Sequence, residues 1–438
     1  MQMKQKYKYF LHTFIFLASS TFLNAGSLQT AISPLSDSQM DTFVLGKSFF
    51  RTPWVEAPSA TTARDGLGPL FSANTCTGCH PGNGKGSVYN SKGHIARSLV
   101  TRLSVDDPQN IDTKMGFTPE PTYGSQLSIN GVYGVPYEGK PSRSYSTKSV
   151  MLSEDRKVIL HKPDYGISNL QHGALSKDVI LSQRVPPALI GLGLLEQISD
   201  TQLLANEDIN DTNKDGISGK ANRVYSPETF NVEIGRYNWK ANAATVKQQV
   251  ASAMYNDMGL TSPLYPNENC TKVQKACLES PKGRDPLDVP MKRLDAVAFY
   301  LKHLKVLQTK PDKHYKEGLR IFKQIACASC HIPSFTLDNG RTIHPFSDLL
   351  LHDMGKDLAD GRVEFQAGGS EFRTAPLWGI SMYKQILKNR VNFLHDGRAG
   401  TVEEAILWHA GEAEQAKNNF INLSPPKQKV LIDFLERL

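Results

Sequence analysis

Cys76-Thr77-Gly78-Cys79-His80 and Cys327-Ala328-Ser329-Cys330-His331 are two copies of Cys-x-x-Cys-His in a chain with six cysteines. This spacing is that of c-type haem attachment. The two thiols form thioethers with the haem vinyls, and the histidine that follows is delivered to one face of the iron. Two alternatives are a zinc site split between the cysteine pairs and a thioredoxin-like redox pair. A histidine after the second cysteine in both copies favours haem, and no strand pattern precedes either motif. The expectation is two covalently bound haem c groups, on Cys76, Cys79 and His80 and on Cys327, Cys330 and His331.

A second iron ligand is expected from a helix near the end. Thr401-Val402-Glu403-Glu404 has the spacing of a capping box, and the helix it predicts over 401–413 puts Val402, Ala405, Ile406, His409 and Ala413 on one face. A histidine on an apolar face is ordinarily a core residue held by a hydrogen bond. Here a haem iron in the same region needs a sixth ligand, and imidazole binds iron well. His409 is therefore the expected ligand, with His352 and Met354 as alternatives. His94, fourteen residues after the first motif, is a candidate releasable ligand of the first haem, but the adjoining Ser91-Lys92-Gly93 reads as a surface turn and it is not chosen.

The elements that position these groups read as mostly helix and loop. The expected fold is mainly α: two cytochrome c-like haem domains with long irregular loops and little strand, for example irregular chain over 118–146. Helices are predicted over 244–254 and 290–307. The expected division is a leader peptide over 1–25, an N-terminal haem domain with insertions over 26–307 and a C-terminal haem domain over 308–438. The leader has Lys4, Lys6 and Lys8 before an apolar run from Phe10 to Leu23, too short to span a bilayer, with Leu23-Asn24-Ala25 as the cleavage tripeptide. A membrane anchor is the alternative. No later stretch is long and apolar enough for a membrane helix. Haem c is attached outside the cytoplasm, so a periplasmic protein is expected.

The formal net charge of +7 includes three leader lysines. No Lys/Arg block suggests nucleic acid, and the mild excess suits an acidic electron-transfer partner. Cys270 and Cys277 remain, as a local disulfide or a free thiol pair. Arg184-Val185-Pro186-Pro187 and Arg373-Thr374-Ala375-Pro376 follow the two motifs in the same order, which suggests a duplicated plan.

Asn392-Phe393-Leu394-His395-Asp396-Gly397-Arg398, followed by Thr401 to His409, resembles the closing segment of bacterial di-haem cytochrome c peroxidases and their methylamine-utilisation relatives. In those families the position of His409 holds a Met or a Tyr as distal ligand. His is a departure that implies a lower potential than His/Met. Thr62-Ala63-Arg64-Asp65-Gly66-Leu67-Gly68-Pro69-Leu70-Phe71, Asp348-Leu349-Leu350-Leu351-His352-Asp353-Met354-Gly355 and Trp408-His409-Ala410-Gly411-Glu412-Ala413 are similar to the branch of di-haem, or thiol, oxidoreductases. The resemblance implies a peroxidase-like enzyme. Its C-terminal haem takes electrons from a small donor protein, and its N-terminal haem reacts with peroxide or an oxidisable substrate. It also implies two catalytic residues. Trp239 matches an indole between the haems. Asp257, in Asp257-Met258-Gly259 after Gln248 and Gln249, stands where the family has an acid/base Glu. A packed tryptophan and a surface carboxylate are the plain alternatives.

Asp211-Thr212-Asn213-Lys214-Asp215-Gly216 fits the first half of a calcium loop, with Asp211, Asn213 and Asp215 as oxygen donors. Asn222 stands where such a loop has its closing Glu, so a polar turn is the alternative. Two functions follow: a periplasmic di-haem peroxidase-like oxidoreductase, or a non-catalytic di-haem electron-transfer cytochrome.

Overall fold

A reciprocal cap starts the first long helix. Ser36 Oγ accepts from Gln39 N, and the Gln39 side chain accepts from Ser36 N, ahead of Asp37–Arg51. This helix packs on Met291–Lys302. Gly46 is the contact point, since a Cβ there would lie 1.9 Å from the Ala296 carbonyl oxygen. Phe43 meets Tyr300 edge-on at 4.9 Å. The structure is a computed structural model describing residues 28–32, 34–153, 155–306, 309, 311–388 and 390–438. The expected leader and the start of the expected C-terminal domain at 308 lie outside the described residues.

The predicted helices form with shifted ends. The one predicted over 244–254 runs Val246–Met258, capped by Thr245 and ended by Gly259 at φ 63°. The one predicted over 290–307 ends at Lys302. The expectation of a mainly α chain with little strand is overturned. The fold is mixed, with six two-stranded antiparallel sheets among the described residues. The longest pairs Lys140–Ser153 with Arg156–Ser168, and another pairs Val100–Val105 with Val179–Arg184. Part of the stretch expected to be irregular is therefore strand. The reason is physical: most side chains of Lys140–Ser153 are exposed, so the apolar alternation that marks a half-buried strand is missing. The ladder and contacts with the rest of the chain hold it instead.

Those contacts lie on the C-terminal half. Leu152 and Leu160 are buried in a core with Ile321, Phe322, Phe346, Trp408 and Phe434. Lys148 and Lys162 both reach Asp357, Arg156 reaches Glu403, and Tyr165 donates to Asp396 Oδ2 at 2.6 Å. A larger core holds the first helix pair and Val246–Met258, together with Phe335, Leu349 and Trp378 from the C-terminal half. Cys270 and Cys277 form a disulfide.

Candidate di-haem site

Each Cys-x-x-Cys-His motif forms a single tight turn, Cys76–Gly78 and Cys327–Ser329. His80 N donates to Cys76 O at 2.9 Å and His331 N to Cys327 O at 3.0 Å. In the second motif Cys327, Cys330 and His331 all line one cavity; in the first, His80 does. All four thiols are unpaired, and burial pushes Cys76 and Cys327 up to about 12, so they are neutral. The two cysteine pairs do not converge as a zinc site requires. Among the described residues, the one cluster of three potential metal-donor side chains is Cys330, Asp348 and His352.

Both motif histidines line one cavity of about 390 Å³, shared with Trp239, His352, His395 and His409. The hydrogen bonds sort these histidines. His80 Nδ1 faces Gly84 O at 3.3 Å, His331 Nδ1 faces Phe346 O at 2.9 Å, and His409 Nδ1 faces Ala405 O at 2.7 Å. A carbonyl on Nδ1 favours that nitrogen as the N–H and leaves Nε2 as the lone pair, the usual arrangement of a metal-bound histidine; the ring of His80 also has the Pro187 carbonyl within reach. Burial holds His80 and His331 down at about 4, so both imidazoles are neutral and able to ligate. His352 differs. Its Nδ1 lies 2.7 Å from Glu412 and its Nε2 2.8 Å from Asp348, so neither nitrogen is free for iron.

His409 lies within electrostatic reach of His331: after burial and the Phe346 carbonyl, it is the next influence on His331 and opposes its protonation. No second imidazole figures among the groups that act on His80. The helix carrying His409 is shorter than predicted. It runs Val402–Trp408, with Thr401 Oγ1 accepting from Glu404 N and with His409 as its C-terminal cap. Glu404 closes the cap on Gly400 N rather than on Thr401. His409 thus leaves the helix at its end, where its backbone has turned extended.

Trp239 is buried in the cavity wall, donates Nε1 to Val185 O at 2.8 Å, and carries the Lys85 ammonium 4.7 Å from its ring centre. Gln249 lines the cavity too, whereas Gln248 is spent on Ala244 N and Tyr225 O. Asp257 is not among the cavity-lining residues. It is partly buried, accepts from Gln126 Nε2 at 2.8 Å, and lies within electrostatic reach of Cys76 and Cys79. Burial raises its carboxyl above the ordinary value, against the pull of Arg102 and Gln126. His94 is exposed on a turn held by Asn90.

The loop of Asp211, Asn213 and Asp215 is a set of local turns. Asp211 accepts from Gly216 N, Asp215 from Ile217 N, and Asp208 from Thr212 and Asn213. Its carboxylates do not gather three oxygens at one point. Asn222, at the position of the missing Glu, is buried elsewhere, on the carbonyls of Lys240 and Glu364.

Sequence reasoning gave no role to Lys85, His395, Arg373 or Glu412, all of which line the cavity. His395 and Arg373 stood inside noted motifs. Lys85 carried no signal at all.

The family described as "Di-haem oxidoreductase, putative peroxidase" matches residues 162–438, and the chain belongs to it. The matched part contains the second motif and His409. The first motif lies before it. Family membership makes this an oxidoreductase with haem cofactors. Among solved structures, hydrazine synthase of Kuenenia stuttgartiensis, pressurized with 20 bar xenon, is similar at 12% identity and a TM-score of 0.33 over 100% of both chains, a likeness too low to carry an argument. No curated protein matches. No helix among the described residues is long and apolar enough to cross a membrane.

Proposed function

We propose that this chain is a periplasmic di-haem peroxidase-like oxidoreductase. Its two units, 26–307 and 308–438, would each attach one haem c, through Cys76 and Cys79 and through Cys327 and Cys330. His80 and His331 would be the proximal ligands and His409 the distal ligand of the C-terminal haem. Haem iron supplies one-electron transfer and, with an open position, a place for peroxide. The observation that carries the reading is the asymmetry of the shared cavity. His409, with its Nδ1 on the Ala405 carbonyl, lines the cavity within electrostatic reach of His331, whereas among the described residues no imidazole is an influence on His80. A closed C-terminal site suits electron entry from a small donor protein, and an open N-terminal site suits reaction.

The chain's own residues have defined work in this scheme. The carbonyls of Gly84, Phe346 and Ala405 hold the three imidazoles in one tautomer. Trp239 fills the wall between the motifs, where it could pass electrons. Asp257, protonated more readily than an ordinary carboxyl, would move the peroxide proton. The export assignment rests on the leader and on the chemistry of haem c attachment. Calcium in the Asp211 loop would need oxygens beyond those the loop itself gathers.

Asp257's absence from the cavity wall favours the second reading, an electron-transfer cytochrome. Mass spectrometry of the mature protein, with optical and EPR spectra, separates the possibilities. Two covalent haems, one of them high-spin and cyanide-binding, with peroxide turnover, support the enzyme. Two low-spin, ligand-inert haems support the cytochrome. A protein without covalent haem ends both.

A further inference from the structure

Buried cations in this protein have carboxylate partners. Arg184 pairs with Asp360 and Glu364, Arg362 with Glu364, Lys240 with Asp360, and Arg398 with Asp396. This is what the cost of an unpaired buried charge demands. Among the described residues, two cavity-lining cations break the pattern. Lys85 is 5% exposed, and its ammonium donates only to Leu394 O at 3.1 Å. The acid that acts on it, Asp396, is already held by Arg398 and Tyr165. Arg373 is 6% exposed and donates only to two carbonyls, Asn238 O at 2.7 Å and Thr374 O at 3.3 Å. Asp348, the acid within reach of Arg373, is held by His352. A third polar group in the same wall is also unspent: His395, 3% exposed, has a buried Nε2 with no partner.

An ammonium carries three N–H donors and a guanidinium five. Lys85 and Arg373 therefore keep most of their donors for something in the cavity; Arg373 also keeps its charge, and Lys85, which burial holds down at about 7, would regain full charge beside an anion. We propose that Lys85 and Arg373, with the unpartnered Nε2 of His395 in the same wall, form a cradle for carboxylates in this cavity, and that haem propionates are the carboxylates they hold. Trp239 joins the two: its ring lies under the Lys85 ammonium, and its carbonyl accepts from Arg373 N at 2.7 Å. The cradle thus spans the wall shared by both motifs. Charge-assisted bonds to carboxylate are about twice as strong as neutral ones, and they would turn an electrostatic liability of the unloaded chain into a determinant of haem seating.

This inference rests on the di-haem reading of the cavity. It is tested on the purified, haem-loaded protein by redox titration and resonance Raman spectroscopy of Lys85→Met and Arg373→Leu. A cation near a haem favours the ferrous state, so each loss should lower the potential of at least one haem and shift the propionate bending band. Lys85→Arg and Arg373→Lys, which keep the charge, should stay near the parent. Where an apolar variant does not accumulate, Lys85→Gln or Arg373→Gln takes its place with the same expected fall. Potentials unaffected by added acetate assign the carboxylates to propionates. Potentials that move with acetate concentration, and stop moving in the variants, assign the cradle to a free carboxylate and overturn the propionate assignment. Full haem content with unmoved potentials and an unmoved band in the charge-removing variants overturns the cradle itself. Absence of haem from the protein's mass would instead end the reading of the cavity on which the inference stands.

Discussion

His352 and Glu412 are locked together, with Nδ1 2.7 Å from the carboxylate, while Asp348 takes the other nitrogen. Glu412 also accepts from Ser218 N and Oγ and from Asp353 N. His352 is thus a structural pin between three segments beside Cys330, and its two carboxylate partners remove it from competition for iron.

Ligation of the C-terminal haem should therefore depend on His409 alone of the two. His409→Met should keep a six-coordinate iron and raise its potential, because thioether stabilises the ferrous state better than imidazole. His352→Gln should leave the low-spin EPR signal in place. A lost low-spin signal in His352→Gln, with His409→Met unchanged, would reverse the assignment.

Asp257→Asn should lower peroxide turnover by about a hundredfold to ten-thousandfold if this carboxyl moves the proton, with both haem spectra nearly unchanged. The raised carboxyl gives the sign of the pH effect. A general acid works in its protonated form, so activity should persist above the ordinary carboxylate range and fall at higher pH. Asp257→Asn should abolish that limb, and Asp257→Glu should retain it. Turnover within a few-fold of the parent would leave Asp257 a purely structural group.

Acid should unfold the protein through its buried ion network. Burial alone would raise Glu364 and Asp396, but Arg184 and Arg362 bring Glu364 down to about 2, and His395 and Arg398 bring Asp396 down to about 2. Both folded values lie below those of the unfolded chain, which are roughly 4. Their stabilisation is therefore present above about pH 4 and lost as pH falls toward about 2. Denaturant titrations across that window should show the loss. Glu364→Gln should flatten it and cost about 3–5 kcal/mol at neutral pH, by stranding buried guanidinium groups.

Leu160→Ala should destabilise the protein by about 2–5 kcal/mol, because Leu160 is 1% exposed in the core around Phe322 and Trp408. Lys148→Ala, which removes a solvent-exposed partner of Asp357, should cost under about 1 kcal/mol. Equal effects would mean that the hairpin is held by its charges rather than by its apolar end.

What was legible in the sequence is what short range decides. Cys76 to His80 and Cys327 to His331 carry their chemistry within five positions. Thr401 marks a helix start by its own side chain, and His409 lines the cavity even though the helix stops at Trp408. The sheets were not legible, because Lys140–Ser153 has no apolar alternation and takes its stability from residues far along the chain. Lys85 was invisible for the same reason: its carbonyl partner, Leu394, is 309 positions away. The Asp211 loop shows the converse. Its local pattern was clear, but position 222 had been claimed by a distant carbonyl pair.

The hairpin of Lys140–Ser153 and Arg156–Ser168 also sets an order of events during synthesis. It is complete long before Asp357, Asp396 and Glu403 have left the ribosome, and its Leu152 and Leu160 have nothing to pack against until Phe322, Trp408 and Phe434 arrive. A chain stalled just after this hairpin would carry an uncovered apolar tip and a ladder edge open to other chains. A fragment 308–438 made alone would lack the wall that the hairpin supplies. Completion of the core around Cys327 and Trp408 is thereby tied to the presence of the first half.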